Sequence, residues 1–304
     1  MRICSLLPSA TEIVFALDLG DRLVGVTHEC DYPEGVERLP TVTRSVVDHT
    51  GSSSSEIHTH VAESLHSGSS IYALDQELLA RLDPELILTQ ELCDVCAVSY
   101  DEVRKAVRVL PGQRRVLSLE PMDLGGILEA IRQVGELAGV PGRAGEVVRD
   151  LRRRIERVGS TAAGVPDRPR VFAMEWLDPP FMGGHWVPEM VRLAGGTDGL
   201  GRQGHPSRRI EWEEIAAYDP EVVVLMPCGY SLARTLGDLR QVSFPAEWHG
   251  LSAVRSGRVY AVNGSAYFNR PGPRIVDGLE ILAEILHPER FPREKPPDAW
   301  RRVE

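Results

Sequence analysis

Apolar positions along the chain alternate between two patterns. Short continuous apolar runs at 86–89 and 222–226 are bounded by turn residues, which is typical of buried parallel strands. The segment 124–137 instead carries apolar residues at three- and four-residue spacings, which predicts a helix with one buried face. Because predicted strands and helices alternate throughout, the sequence predicts an α/β protein with mainly parallel sheets.

The two halves of the sequence share one plan. Residues 78–88 match 214–224, because in both copies a short helix ends at Asp-Pro and a strand follows. This weak repeat predicts two lobes of similar fold. In the first half, the predicted strands are 3–7, 23–27, 86–89 and 115–119, and the predicted helices are 9–17, 74–82 and 100–110.

A helical region separates the two halves. The segment 144–158 is rich in arginine and glutamate and has a thin apolar stripe, which predicts a solvated helix that braces two lobes. We therefore predict an N-terminal α/β lobe at 1–123, a helical linker with a long bracing helix at 124–160, and a C-terminal α/β lobe at 161–304. The serine-rich stretch 51–55 is interpreted as a flexible loop without chemistry of its own.

Four of the five cysteines follow predicted strands. Cys30, Cys93, Cys96 and Cys228 are expected just past the carboxyl ends of strands, where open α/β sheets hold their ligands. Thiolates suit zinc or iron–sulfur clusters, so the four cysteines predict either a shared metal site or a cysteine-lined pocket. Cys4 lies inside a predicted strand and is interpreted as a small buried hydrophobe.

Imidazole, carboxylate and aromatic side chains near the same strand ends are candidate ligand contacts. His185 and Trp186 follow a glycine pair, and glycine permits close approach of the backbone to a ligand. Tryptophan also offers a flat surface for stacking. The full set of candidate ligand-binding residues is His28, Glu29, Trp176, His185, Trp186 and Tyr230.

Charge and composition narrow the classes of partner. The 304 residues include 34 basic and 44 acidic side chains, a net charge of −10, which argues against nucleic acid as a partner. No stretch is apolar over the length needed to cross a bilayer, and the first residues enter the first predicted strand directly. We therefore expect a cytoplasmic protein without membrane insertion, in which cysteines favour metal or redox chemistry over disulfides. Enzymatic catalysis has little support, because no Walker loop, nucleophile elbow, His-Glu-x-x-His motif or dinucleotide fingerprint occurs.

Segments spread over nearly the whole chain carry a family resemblance. They are 5–13 with 19–27, then 82–88, and finally 257–262 with 270–274. These segments resemble the cobalamin- and siderophore-type substrate-binding proteins of ABC transporters. The resemblance implies two α/β lobes joined by one long helix, a ligand held between the lobes, and an ABC transporter as a candidate partner. The chain is similar to a cytoplasmic branch labelled cobalamin-binding, since it shows neither a signal peptide nor a lipobox.

Three hypotheses for the function follow, and in the first two the bound partner is a small molecule or a metal or metal complex. In the first, a non-enzymatic protein holds a corrinoid (cobalamin-like) or another metal-containing cofactor in the cleft between its lobes. His28 or His185 would be the axial or orienting ligand, the tryptophans the flat contacts, and the cysteines the floor of the pocket. In the second, the four cysteines themselves bind zinc or an iron–sulfur cluster. In the third, the chain is a thiol enzyme with Cys93 as nucleophile.

Overall fold

A computed structural model of the chain describes residues 1–46, 51–66, 71–90, 103, 106–107 and 114–303. The chain divides into two units, each with a sheet whose central strands are parallel. The predicted two-lobed α/β fold is therefore confirmed. Unit 1 consists of Met1–Ser52, Thr59–Pro121 and Gly126–Arg149, and unit 2 consists of Ser53–His58, Met122–Gly125 and Asp150–Glu304.

Unit 1 is built on a four-stranded parallel sheet. The strands of unit 1 are β1 (Ile3–Ser5), β2 (Leu23–Gly25), β3 (Thr43–Ser45), β4 (Tyr72–Leu74), β5 (Leu86–Thr89) and β6 (Arg115–Ser118). The sheet has the order β2-β1-β5-β6, while β3 and β4 form a separate antiparallel pair. Every residue of β5 is buried, as expected for a strand covered on both faces.

Five helices come before the sheet of unit 2. They are α1 (Pro8–Ala16), α2 (Ser54–His66), α3 (Gln76–Leu82), α4 (Leu124–Leu137) and α5 (Pro141–Ala163). Helix α3 begins later than predicted because the Asp75 side chain caps it by accepting from Leu78 N–H at 2.8 Å. Helix α5 is longer than predicted and starts with Pro141, whose missing N–H costs nothing in the first turn. The helix predicted at 100–110 lies almost wholly outside the described residues.

Unit 2 contains a six-stranded mixed sheet. Its strands are β7 (Val171–Trp176), β8 (Phe181–Met182), β9 (Arg208–Arg209), β10 (Val222–Leu225), β11 (Val259–Val262) and β12 (Trp300–Arg302). The order is β12-β11-β10-β7-β8-β9, with parallel pairing at the centre and antiparallel pairing toward both edges. The helices are α6 (Val187–Leu193), α7 (Trp212–Tyr218), α8 (Leu232–Asp238), α9 (Ala246–Gly250), α10 (Ser252–Arg255), α11 (Gly264–Tyr267) and α12 (Ile275–Leu286).

The repeat seen in the sequence forms the same local structure in both units. Asp83 ends α3 and Asp219 ends α7, each with a left-handed backbone (φ 49° and 45°). Two residues later, Glu85 accepts from Arg2 N–H at 2.7 Å, and Glu221 accepts from the corresponding arginine N–H at 2.9 Å. These contacts lie at the amino ends of the central strands. The candidate functional residues follow the opposite, carboxyl ends.

Candidate ligand-binding site

In unit 1, Thr43 holds the ring of His28. The Thr43 hydroxyl donates to Thr27 Oγ1 at 2.8 Å and lies 2.8 Å from His28 Nδ1. Nδ1 of the His28 ring thus shares its hydroxyl partner with Thr27. The Thr43 hydroxyl also accepts from His28 N–H at 3.1 Å, which fixes the ring orientation further.

Glu29 lies next to the free nitrogen of this ring. Its carboxylate oxygen Oε1 is 3.3 Å from His28 Nε2, and the Glu29 side chain is more exposed than the His28 side chain. At this distance the Glu29 carboxylate pairs with the imidazole when the ring is protonated. His28 and Glu29, predicted from one polar loop, thus lie together.

The two described cysteines of unit 1 are buried. The Cys30 thiol lies 3.1 Å from Thr11 Oγ1, which in turn donates to Ser5 Oγ at 2.8 Å. Cys4 packs in the apolar core, and burial, with a smaller contribution from Cys30, raises the pKa of its thiol to about 12. Its interpretation as a small buried hydrophobe is confirmed.

The predicted four-cysteine site stays a prediction. Cys93 and Cys96 lie outside the described residues. Cys228 is half-buried in unit 2, where its N–H donates to Glu175 O at 3.1 Å across the ends of β7 and β10. Within the part of the chain that the structure describes, no group of three or more His, Cys, Asp and Glu side chains could hold a metal ion.

At the end of β7, the Glu175 carboxylate occupies an interior position. It accepts from Gly184 N–H at 3.3 Å. Burial raises the pKa of this carboxyl to about 7, although hydrogen bonds from Gly184 and Ser207 oppose the rise. Glu175 is therefore a carboxyl group that changes charge near neutral pH.

His185 directly follows Gly184, the residue whose N–H bonds the Glu175 carboxylate. Its backbone is left-handed (φ 52°), and its N–H donates to His205 O at 2.6 Å. A side chain at Gly184 would lie 2.1 Å from Ser207 N, so the glycine allows the backbone of Ser207 to approach. The glycine signal in the sequence thus marks a close approach of the protein's own backbone.

The side chain of His185 has an unused nitrogen. Nε2 is buried and has no hydrogen-bond partner among the described residues. Burial lowers the pKa of this imidazole, so the ring is neutral at ordinary pH. A neutral imidazole with a free ring nitrogen is the form that binds metal ions.

Trp176 and Tyr230 form an aromatic pair in unit 2. Their ring centroids are 5.3 Å apart in an edge-to-face arrangement. Trp176 Nε1–H donates to Ser54 O at 3.1 Å, and Ser54 N–H donates to Asp238 Oδ1 at 3.3 Å. Two of the predicted ligand contacts are therefore neighbours, and the structure adds Ser54 and Asp238.

Trp186 occupies a different environment from Trp176. It is 6% exposed, and its Nε1–H donates to Phe268 O at 2.8 Å. Its ring lies 5.4 Å from the His185 ring. Trp186 therefore packs in the interior, and its ring lies beside the His185 ring.

Sequence reasoning missed Ser54 because the 51–55 stretch is polar and contains four serines. The loop interpretation fails at Ser54 and Ser55, because α2 begins at Ser54. Ser53 N–H donates to the Glu56 carboxylate at 2.8 Å, and Glu56 N–H donates back to Ser53 Oγ at 3.4 Å. This is a capping box, and the Ser-x-x-Glu spacing was the available signal.

The chain belongs to the family of periplasmic binding proteins, whose family model matches residues 3–266. Its fold and its family thus agree on a substrate-binding protein with a small-molecule ligand. No helix among the described residues is long and apolar enough to cross a bilayer.

Relatives and solved structures narrow the similarity. The chain is 25% identical over 297 residues to the ABC transporter substrate-binding lipoprotein YvrC of Bacillus subtilis, covering 95% of this chain and 81% of that protein. It is 24% identical over 288 residues to a vitamin B12-binding protein of Vibrio cholerae, covering 94% and 88%. A periplasmic heme-binding protein from Pseudomonas aeruginosa has the same fold, with a TM-score of 0.73, 22% identity and coverage of 100% and 99%.

These findings correct two expectations. The predicted cytoplasmic location, and with it the cytoplasmic branch of the family, is wrong, because the family is one of periplasmic binding proteins and YvrC is a lipoprotein. That prediction depended on the first residues alone, which enter β1. The hypothesis that the cysteines bind zinc or an iron–sulfur cluster receives no support from any of these relatives.

Proposed function

We propose that this protein binds a metal-containing tetrapyrrole, with a corrinoid as first candidate, and presents it to an ABC transporter. The observation that carries the proposal is the neutral His185 imidazole, whose Nε2 is buried and has no hydrogen-bond partner among the described residues. Such a nitrogen can bind the metal of the ligand or donate an electron pair to one of its N–H groups. The vitamin B12-binding relatives favour cobalamin as the source of that metal.

The local backbone prepares His185 for this role. His185 N–H and C=O are both engaged, since Gly204 N–H donates to His185 O at 2.9 Å. Asn, Asp and His tolerate the left-handed backbone better than other side chains that carry a Cβ. The ring is thus attached to a backbone held at two points, which limits the ordering that ligand binding would require.

Heme is the second candidate, because a neutral imidazole binds iron as well as cobalt. The same proposal includes Trp176 and Tyr230 as aromatic contacts of the ring system. His28 and Glu29 stay predicted ligand contacts of unit 1. Trp186, which is buried, supports His185. Cys30, Cys93, Cys96 and Cys228 stay proposed pocket residues.

Absorption spectroscopy tests the proposal. Purified protein is titrated with aquocobalamin, whose bound water an imidazole can displace, and separately with hemin. We expect a spectral shift with saturation at one equivalent, and we expect His185→Asn to abolish the shift and weaken binding by at least about tenfold. Asn keeps the left-handed backbone, so the change isolates the imidazole.

Two further variants serve as comparisons. His205→Asn removes an exposed imidazole nearby and is expected to leave both spectrum and affinity unchanged. His28→Asn tests the other candidate imidazole. Failure of wild-type protein to bind either compound, or an unchanged spectrum in His185→Asn, contradicts the proposed role of this side chain.

A further inference from the structure

Residues 53–58 fill a polar recess of unit 2 with a backbone amide. The Ser54 carbonyl accepts from Trp176 Nε1–H at 3.1 Å, and the Ser54 N–H donates to Asp238 Oδ1 at 3.3 Å. Ser54 is fully buried, and His58, one turn further along α2, lies 5.7 Å from the ring of Phe181. The N–H and the C=O of Ser54 thus pair with one acceptor and one donor of the recess.

The recess keeps hydrogen-bonding capacity that this backbone does not use. Three buried atoms have no hydrogen-bond partner among the described residues: Ser54 Oγ, Tyr230 OH and Asp238 Oδ2. Buried polar groups are nearly always paired, and an unpaired one is costly. The contact with Ser54 therefore satisfies the recess only in part, and a group with more donors would satisfy it better.

The charge of the recess favours a neutral polar group. Asp238 and Arg234 lie four residues apart on α8, so their opposite charges are on one face of that helix. The Arg234 guanidinium carbon is 4.5 Å from the centroid of the Tyr230 ring. Because Asp238 Oδ2 accepts hydrogen bonds and cannot donate when ionised, it would repel a carboxylate and accept from an amide N–H.

We propose that Trp176 and Asp238 form a carboxamide-binding subsite, in which the Ser54 backbone competes with a ligand for the same two groups. A primary carboxamide would give its C=O to Trp176 Nε1–H and one N–H to Asp238, with a second N–H left for Asp238 Oδ2 or Tyr230 OH. This inference rests on the proposed function, because the side chains of a corrinoid end in carboxamides whereas those of heme end in carboxylates. The subsite thus selects corrinoids over heme.

Competition between the Ser54 backbone and the ligand gives the first test. Ser54 is the first residue of α2, where proline is tolerated, so Ser54→Pro removes the competing N–H and keeps the helix. We expect its Kd for cyanocobalamin to fall about fivefold, the equivalent of one hydrogen bond. Glu63→Ala, at an exposed position further along α2, is the control and is expected to bind like wild type.

The recess itself is tested from the other side with Asp238→Ala. Its Kd for cyanocobalamin is expected to rise about tenfold, because an acceptor that bears charge is lost. The Kd for hemin is expected to stay unchanged in Ser54→Pro and to fall in Asp238→Ala, because the carboxylate that repels the carboxylates of heme is gone. Unchanged cyanocobalamin affinity in both Ser54→Pro and Asp238→Ala overturns the subsite while leaving the proposed function intact.

A second measurement does not require corrinoid binding. Hydrogen exchange of peptides that span 51–61 is followed in wild-type protein with propionamide and with propionate, which have nearly the same shape. Propionamide is expected to speed exchange of the Ser54 amide, propionate is not, and Asp238→Ala is expected to lose the response. An equal effect of both compounds, or none, refutes the subsite. If propionamide speeds exchange but the protein does not bind cobalamin, the subsite is supported and the corrinoid proposal is rejected.

Discussion

At the scale of single residues, Glu175 shows how position changes chemistry. A carboxyl at the end of β7 is removed from water and accepts from Gly184 N–H, and burial raises its pKa to about 7. Next to it, His185 is kept neutral by the same cause, since burial disfavours charge on either group. Two titratable side chains at one strand end are thus both shifted toward their neutral forms.

This shift predicts a pH dependence of stability. Between about pH 4.5 and 7 the folded protein binds a proton at Glu175 that the unfolded chain has lost, so the free energy of unfolding decreases as pH rises through this range. Glu175→Gln removes this proton-binding group and keeps an oxygen that accepts from Gly184 N–H. We expect the variant to be more stable than wild type at pH 8, by on the order of 3 kcal/mol, and similar to it near pH 4.5.

Urea unfolding at pH 4.5, 6 and 8 measures this difference. Asp238→Asn, at a buried position, controls for the removal of a carboxylate elsewhere in unit 2. Parallel pH profiles for Glu175→Gln and wild type would show that the Glu175 carboxyl titrates normally.

At the scale of elements, the repeated Asp-Pro turn connects a helix to a central strand in each unit. Asp219 ends α7 with a left-handed backbone, and its carboxylate accepts from Ser252 N–H at 2.8 Å and Ser252 Oγ–H at 2.7 Å. In unit 1 the equivalent Asp83 pairs with Arg2 and Arg114, and in unit 2 Asp219 also pairs with Arg170 at 3.7 Å. The turn thus has the same backbone geometry and an arginine partner in both units, while Ser252 is a partner in unit 2 alone among the described residues.

Asp219→Ala is expected to destabilise unit 2 by about 2 kcal/mol, because a left-handed alanine is strained and the bonds to Ser252 are lost. Asp219→Asn tolerates the same backbone and still accepts from Ser252 N–H, so its loss should be less than half as large. Urea denaturation followed by tryptophan fluorescence compares the two. Equal losses would mean that the carboxylate charge, and not the backbone geometry, holds this turn.

At the scale of the whole molecule, an ion-pair network joins parts of unit 2 that are far apart in sequence. Arg154 of α5 pairs with Asp277 and Glu280 of α12 at 2.7 and 2.6 Å, and Lys295 pairs with the same two carboxylates. Although burial alone would raise the pKa of the Glu280 carboxyl, hydrogen bonds from Arg154 and Lys295 lower it to about 2. The network therefore anchors both α5 and the C-terminal segment to α12.

Arg154→Ala is expected to lower the free energy of unfolding by about 2 kcal/mol, since it leaves two partly buried carboxylates short of a cation. Arg153→Ala is the matched control, because Arg153 pairs only on the exposed surface of α5 with Asp150, and a change under about 0.5 kcal/mol is expected. Chemical denaturation of both variants at pH 7 makes the comparison. The Arg154 effect should decline as pH falls from 4.5 toward 2, where Glu280 becomes protonated in the folded protein.

The sequence alone determined the architecture, because architecture depends on periodic apolar patterns and on turn residues that act locally. The run at β5, the stripe of α4 and the paired Asp83 and Asp219 turns all carry their structure in a few neighbouring residues.

Only the tertiary structure decided which candidates are available to a ligand. Trp176 and Trp186 have similar sequence contexts, yet one faces Ser54 and Tyr230 while the other is enclosed against Phe268. His185 Nε2 and Asp238 Oδ2 have no hydrogen-bond partner among the described residues. Whether such an atom is paired depends on which groups from distant segments lie next to it. Hydrogen-bond satisfaction and removal from water are sums over neighbours that the fold assembles, and no local pattern contains them.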